Sequence, residues 1–129
     1  MSAPFCQHIH ISCCNLKGMV DFWVKGFGAT LVKFRKFGEL EGATLDINTG
    51  LTKLNLRELQ CERQDQATSP RSGVDHICMM VPDLDKYLAE LTAMPDVSLA
   101  KEPFMSEDKR CAFINGPDGI YIELMQEVA

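Results

Sequence analysis

Apolar and polar positions along this chain alternate with a period of two in several short runs and recur at helical spacing in two others. The whole series occurs twice. Phe5–Ser12, FCQHIHIS, and Val74–Val81, VDHICMMV, carry apolar or β-branched residues at every second position and read as strands. Seven residues after His8 comes Asn15-Leu16, and seven after His76 comes Asp83-Leu84; Asn and Asp are helix N-cap residues. Leu16, Met19, Val20, Trp23 and Phe27 then fall at helical spacing, with Gly26 and Gly28 as the stop. Leu84, Tyr87, Leu88 and Leu91 do the same, ending near Pro95. β-rich runs follow each helix: Thr30–Phe37, Gly42–Asn48 and Thr52–Leu59 in the first half, and Val97–Phe104, Arg110–Asn115 and Ile120–Gln126 in the second. Each half is thus β-α-β-β-β, and the second repeats the first at the offset that carries His8 onto His76. The polar stretch Cys61–Ser72, with Pro70 and Gly73, reads as a linker. The pattern predicts an α+β protein, one domain over residues 1–129, made of two tandem modules (1–60 and 73–129) joined by residues 61–72.

The chemistry concentrates in Arg110–Gln126, RCAFINGPDGIYIELMQ. Pro117-Asp118-Gly119 is turn chemistry, with Pro presetting φ and Gly supplying φ > 0. After it, Ile120, Ile122 and Leu124 alternate with Tyr121, Glu123 and Met125. Glu123 therefore sits mid-strand among apolar residues, where an unpaired charge is costly, so it needs a cation, an Arg or a metal. The three histidines are placed for the metal reading. His8, His10 and Ser12 share one strand face opposite Ile9, Ile11 and Cys13, and His76, Cys78 and Met80 share one opposite Ile77, Met79 and Val81.

Composition narrows the classes. With 129 residues, 46% hydrophobic, the chain can bury one core. Met79, Met80, Met94, Met105 and Met125 read as core and adaptable pocket wall. A formal net charge of −5 without a basic cluster argues against a nucleic-acid partner. No run is long and apolar enough for a membrane span, and no N-terminal signal pattern is present, so a cytoplasmic location is expected. The six cysteines lack CxxC spacing and several (Cys13, Cys78, Cys111) fall in predicted strands, so all are expected to be reduced thiols.

The repeated βαβββ unit, the histidine near the start of each unit and the closing FINGPDGIYIEL resemble the vicinal oxygen chelate superfamily. That group contains glyoxalases, methylmalonyl-CoA epimerases, fosfomycin-modifying enzymes, extradiol dioxygenases and bleomycin-binding proteins. The resemblance spans essentially the whole chain. It is most specific in VDHICMMVPDLD and GPDG-x-x-IEL, and looser in HIHISCCNL and Phe22-Trp23. It implies two modules whose mixed sheets curl into an open barrel, helices outside, around a divalent metal. Carried over residue by residue, His8, His76 and Glu123 match the family's metal ligands. Two imidazoles and a carboxylate suit Fe(II), and Mn, Co, Ni or Zn would also accept them.

Other positions acquire roles by the same resemblance. Asn55, the repeat equivalent of Glu123, stands where glyoxalase I has a fourth ligand, a glutamate; a shift of two would put Arg57 there, and Glu58 should point to the opposite face. This departure suits subfamilies with three protein ligands. Glu123, His10 and Tyr121 are the candidate catalytic groups: His10 as base, as support to a ligand, as substrate contact or as ligand in place of His8, and Tyr121 as hydrogen-bond donor to substrate. Lys53, Asn55 and Arg57 share a strand face, and Arg110 lies on the penultimate strand. Facing inward, they would favour an acidic or enolised small-molecule substrate; facing outward, Lys53 and Arg57 are a solvated rim. The implied function is a divalent-metal-dependent dioxygenase or lyase/isomerase whose substrate chelates the ion through adjacent oxygens. The alternative is a metal-free small-molecule binding protein of the bleomycin-resistance type. A homodimer is the assembly the family implies.

Overall fold

The structure, a computed structural model, describes residues 3–47, 52–62, 64 and 66–128. The Asn48 end of the strand expected over Gly42–Asn48 lies outside the described residues, as do Arg63 and Asp65 of the expected linker. Two compact units are present, Met1–Arg63 and Gln64–Ala129. The first contains β1 (His8–Cys13), α1 (Leu16–Asp21), β2 (Thr30–Phe37), β3 (Leu40–Asp46) and β4 (Lys53–Glu58). The second contains β5 (Ile77–Met80), α2 (Leu84–Thr92), β6 (Ser98–Ser106), β7 (Lys109–Asn115) and β8 (Tyr121–Glu127). The fold is α+β in two tandem βαβββ modules, as the repeat predicts.

Each module folds the same four-stranded mixed sheet, in the order β1-β4-β3-β2 and β5-β8-β7-β6. The first strand runs parallel to the last, and the remaining pairs are antiparallel. His8 pairs with Lys53 and Ile77 with Ile122, at equal sequence separations, so the repeat holds down to strand register. Both outer hairpins are irregular, the first at Leu31/Lys33 and the second at Leu99/Lys101 and at Lys101/Phe104.

The caps explain where the helices begin. The Asn15 side chain accepts from the Gly18 amide, and that of Asp83 from the Lys86 amide, in each case satisfying an otherwise unpartnered donor of the first turn. A second cap repeats as well. The Leu16 amide donates to Glu58 Oε2 at 2.8 Å and the Leu84 amide to Gln126 Oε1 at 2.7 Å, and Glu58 and Gln126 are themselves repeat equivalents. Glu58 thus points to the helix side of the sheet, as its alternation with Arg57 requires. The first helix continues beyond Asp21 as a π-helical turn, Phe22–Gly26. Gly28, at φ 71°, closes it by donating to the Val24 carbonyl.

One face of each sheet packs against its helix. In module 1, Met19, Phe22 and Trp23 are fully buried with Leu45, Leu54 and Leu56. The Phe22, Trp23 and Phe27 rings meet at 5.3–5.5 Å. In module 2, Leu84 and Leu91 are buried with Ile114, Ile122 and Leu124. The opposite, distal face of each sheet carries the alternate residues.

Three expectations are corrected. First, β5 starts at Ile77, so His76 lies just ahead of the strand rather than inside it. The reason is local: Asp75 accepts from the Ser69 hydroxyl and the Arg71 amide, which builds the preceding residues into a turn. Second, the cysteines are not all reduced, because Cys14 and Cys61 form a disulfide while Cys6, Cys13, Cys78 and Cys111 are thiols. Cys14 follows β1 and Cys61 follows β4, and the parallel pairing of those strands brings the two together. Third, Met80 and Met105 are exposed rather than core. No described helix is long and apolar enough to cross a membrane.

Candidate metal centre

The register of β8 sorts the second module's side chains. Cys78 and Phe113 flank Glu123 across the sheet, and Cys111 and Met80 flank Met125, so these share the distal face. Ile122, Leu124 and Gln126 take the helix face with Ala112, Ile114 and Arg110. Just ahead of β5, His76 reaches over the distal face and puts Nε2 3.1 Å from Glu123 Oε1. Its other nitrogen, Nδ1, lies 2.8 Å from Asp75 Oδ2.

This arrangement has a definite electrostatic consequence. A neutral imidazole has one N–H and one lone pair. If Nδ1–H donates to Asp75, the Nε2 lone pair faces a carboxylate oxygen of Glu123, and two acceptors at this distance repel. The contact becomes attractive only with a positive charge between them, either a second ring proton or a metal ion. With Nδ1–H given to Asp75, Nε2 is the nitrogen left for Glu123 or an ion, the carboxylate–histidine arrangement found behind metal ligands. The hydrogen bonds from His76 and from Ser69 hold the Asp75 carboxyl below its ordinary value.

Two of the neighbours of Glu123 are thiols, Cys78 and Cys111. Burial pushes the Cys78 thiol up to about 11, with the Glu123 charge adding to it. Cys111 is raised by burial first and then by its hydrogen bond to Glu123. Both are therefore neutral thiols near neutral pH, weak donors toward the carboxylate rather than thiolates. Tyr121 shares the face, 6.3 Å from the His76 ring, and burial followed by the Asp75 charge raises its hydroxyl. Phe113 stacks on Tyr121 at 4.7 Å and on Phe104 at 6.1 Å, and His76 meets Phe113 edge-on at 5.1 Å.

The first module places its candidates on the corresponding face. His8, His10 and Ser12 lie in register with Lys53, Asn55 and Arg57. His8 Nδ1 sits 2.6 Å from Gln7 Oε1, and Gln7 is the repeat equivalent of Asp75. Both histidines thus have Nδ1 engaged by the residue before them. Asn55 is buried and its Oδ1 accepts from the Thr44 hydroxyl at 2.7 Å. Lys53 pairs with Asp46 at 3.7 Å. Arg57 donates through Nε to Ser12 Oγ at 2.9 Å. His10 packs against the Phe37 ring edge-on at 4.8 Å. Burial, then the charges of Arg57, His8 and Arg35, lower its pKa, which keeps it a neutral base.

Arg110 does not join Glu123. It is in register with Gln126, on the helix face, and its guanidinium bonds Asp85 of α2 at 2.9 Å. Arg110 therefore lies on the sheet face opposite Glu123. Among the described residues of either module, no three His, Cys, Asp or Glu side chains gather as a metal site; the second module brings two ligand candidates together. Sequence reasoning alone does not single out Asp75, Gln7, Phe113 or Arg35. For the first two a signal exists, since a side-chain acceptor precedes each histidine at the same repeat position.

The model of the glyoxalase/bleomycin resistance protein/dioxygenase superfamily matches residues 6–124. The chain belongs to this superfamily. No curated protein sequence matches it. Among solved structures it is similar to a glyoxalase family protein from Bacillus cereus, at 19% identity and TM-score 0.81, covering 100% of this chain and 99% of that one. It is similar to an antibiotic-binding protein from Streptomyces sp. CB03234, at 20% identity and TM-score 0.73, with 99% of each chain covered. A glyoxalase I mutant from Zea mays superposes at TM-score 0.74 and 20% identity over 96% of this chain and 46% of that one. At these identities the likeness is one of fold, and it agrees with the superfamily's tandem-module architecture.

Proposed function

We propose that this protein is a divalent-metal-dependent enzyme of the superfamily, a dioxygenase or a lyase/isomerase, acting on a small substrate that offers adjacent oxygens. His76 and Glu123 would be the ligands from the second module and His8 the ligand from the first. The carrying observation is the 3.1 Å approach of His76 Nε2 to Glu123 Oε1 while Asp75 engages Nδ1, an arrangement that calls for a cation. A bound divalent ion supplies Lewis-acid stabilisation of negative charge developing on substrate oxygens. The chain's own residues do the rest. Asp75 and Gln7 orient the two rings, Phe113 and Tyr121 shield one side of Glu123 from water, and neutral His10 is available to take a proton.

The test is elemental analysis of protein purified anaerobically without chelator or metal-affinity resin. About one equivalent of metal per chain is expected, absent in His76→Ala and Glu123→Ala variants that still unfold cooperatively. Iron would direct the assay to oxygen uptake with catechols, and a non-redox metal to isomerase or lyase substrates. No metal, and none taken up on reconstitution, would overturn the reading. The row of stacked rings Phe104–Phe113–Tyr121 favours a second reading in that event, capture of a planar small molecule without metal. The antibiotic-binding structural relative lends it support.

A further inference from the structure

The distal face of module 1 holds two arginines that the metal reading does not use. Arg35 on β2 and Arg57 on β4 are both cross-strand partners of Gly42 on β3, one on each side. Three adjacent strands put their Cα atoms roughly 10 Å apart, within reach of two guanidinium arms converging on one group. Gly42 contributes no side chain of its own between them. A Cβ there would lie 2.5 Å from a Phe37 ring carbon, so the ring occupies that space. The Arg35 guanidinium sits 4.2 Å over the Phe37 ring, and Arg57 is oriented through Nε by Ser12. Each fork is thus positioned by one contact, and among the described residues no further side-chain partner engages either.

Lys17, Lys36, Lys53, Lys109 and Arg110 all have a carboxylate within ion-pair distance. Among the described residues no ion pair engages Arg35 or Arg57. Lys33, Lys86 and Lys101 likewise have no ion pair among the described residues, so what sets the two exposed arginines apart is their placement on either side of Gly42 on one sheet face. Guanidinium forks are suited to bidentate recognition of planar or tetrahedral oxyanions.

We propose that Arg35 and Arg57 clamp an oxyanion, the carboxylate or phosphate group of a small ligand, over Gly42 and Phe37 of module 1. This deepens the proposed function by assigning the substrate a negative charge, and it rests on that function only in taking the ligand to be the substrate. The clamp itself requires no metal.

The experiment is an NMR titration of the full chain, freed of metal and then dialysed clear of chelator, with inorganic phosphate and separately with malonate at constant ionic strength. The Arg Nε–H signals are the readout. Saturable shifts of the Arg35 and Arg57 signals are expected, with affinity lowered about tenfold or more in Arg35→Gln and in Arg57→Gln and unchanged in Arg110→Gln. Saturation by phosphate alone assigns a phosphate ligand, and by malonate alone a carboxylate. Should Arg57→Gln lose its dispersed spectrum, Arg57→Lys decides the point, since affinity equal to that of the unaltered protein overturns the two-fork clamp. Non-saturating shifts with both probes also overturn it. Because the protein is metal-free, these outcomes are independent of whether His76 and Glu123 bind an ion.

Discussion

At His76 the contributions of single side chains can be separated. Its ring is held between two carboxylates, Asp75 on Nδ1 and Glu123 on Nε2. If Asp75 serves to fix the tautomer, Asp75→Asn should weaken metal binding without abolishing it, because the ligand atoms remain. The expected loss is roughly 10–100-fold in affinity, measured by titrating metal-free protein with zinc or manganese. Asp75 also braces the turn through Ser69 and Arg71, so a small drop in melting temperature should accompany the change. Unchanged affinity would show that Asp75 serves the turn alone. The ligand candidates are legible in the sequence because alternation sets the face of His8 and Glu123, while His76 is found through the repeat and the family resemblance. Asp75 and Gln7 are not, because engaging a neighbour's ring nitrogen leaves no trace in periodicity. Arg110 escapes sequence reasoning for a related reason. Its partner across β7 and β8 is Gln126, and that register depends on the geometry of the turn around Pro117–Gly119, which composition does not specify.

Among the elements, the helices are the most legible, since their caps are chemical and local. Asn15 and Asp83 cap as their residue types predict. Replacing Asp83 with Ala should cost about 1 kcal/mol. The Leu84 amide keeps its bond to Gln126, so the helix persists, and denaturant unfolding should show a lower midpoint with unchanged slope. Glycine positions inside strands are harder to read. Alternation sets Gly42 at a strand start, yet it lies within β3, where a Cβ would come 2.4 Å from the Leu56 carbonyl oxygen and 2.5 Å from Phe37. Backbone cannot yield as a flexible side chain can, so Gly42→Ala should destabilise module 1 by more than the Asp83 change, in the same denaturant measurement, and displace Phe37. Tertiary approach of this kind has no sequence signature beyond the glycine itself. The π-helical turn at Phe22–Gly26 is likewise invisible. Phe22 and Trp23 within it are both fully buried.

For the molecule as a whole, the repeat carries most of the information. One constant offset relates His8 to His76, Gln7 to Asp75, both helix caps and both strand-to-helix bonds, and identical sheet order follows from it. What a repeat cannot reveal is anything present in one half only, and the Cys14–Cys61 disulfide is such a feature. The second module has no counterpart, since the positions equivalent to Cys14 and Cys61 are Pro82 and Ala129. The bond closes a loop with a sequence separation of 47 residues and joins the ends of the parallel pair β1 and β4. Restricting the unfolded chain over such a loop stabilises a fold by about 2–4 kcal/mol. Reduction, or Cys61→Ser, should therefore lower the unfolding free energy by that amount and move the denaturant midpoint down. Tryptophan fluorescence reads it, because Trp23 lies in the core of the same module. Module 2 offers the internal control. Its amide-exchange protection should stay unchanged on reduction if the two modules open independently, and should fall in step with module 1 if they unfold as one cooperative unit. A midpoint indifferent to reduction would mean that the β1–β4 pairing, which runs from His8–Lys53 to Cys13–Glu58, holds those ends together without the covalent link.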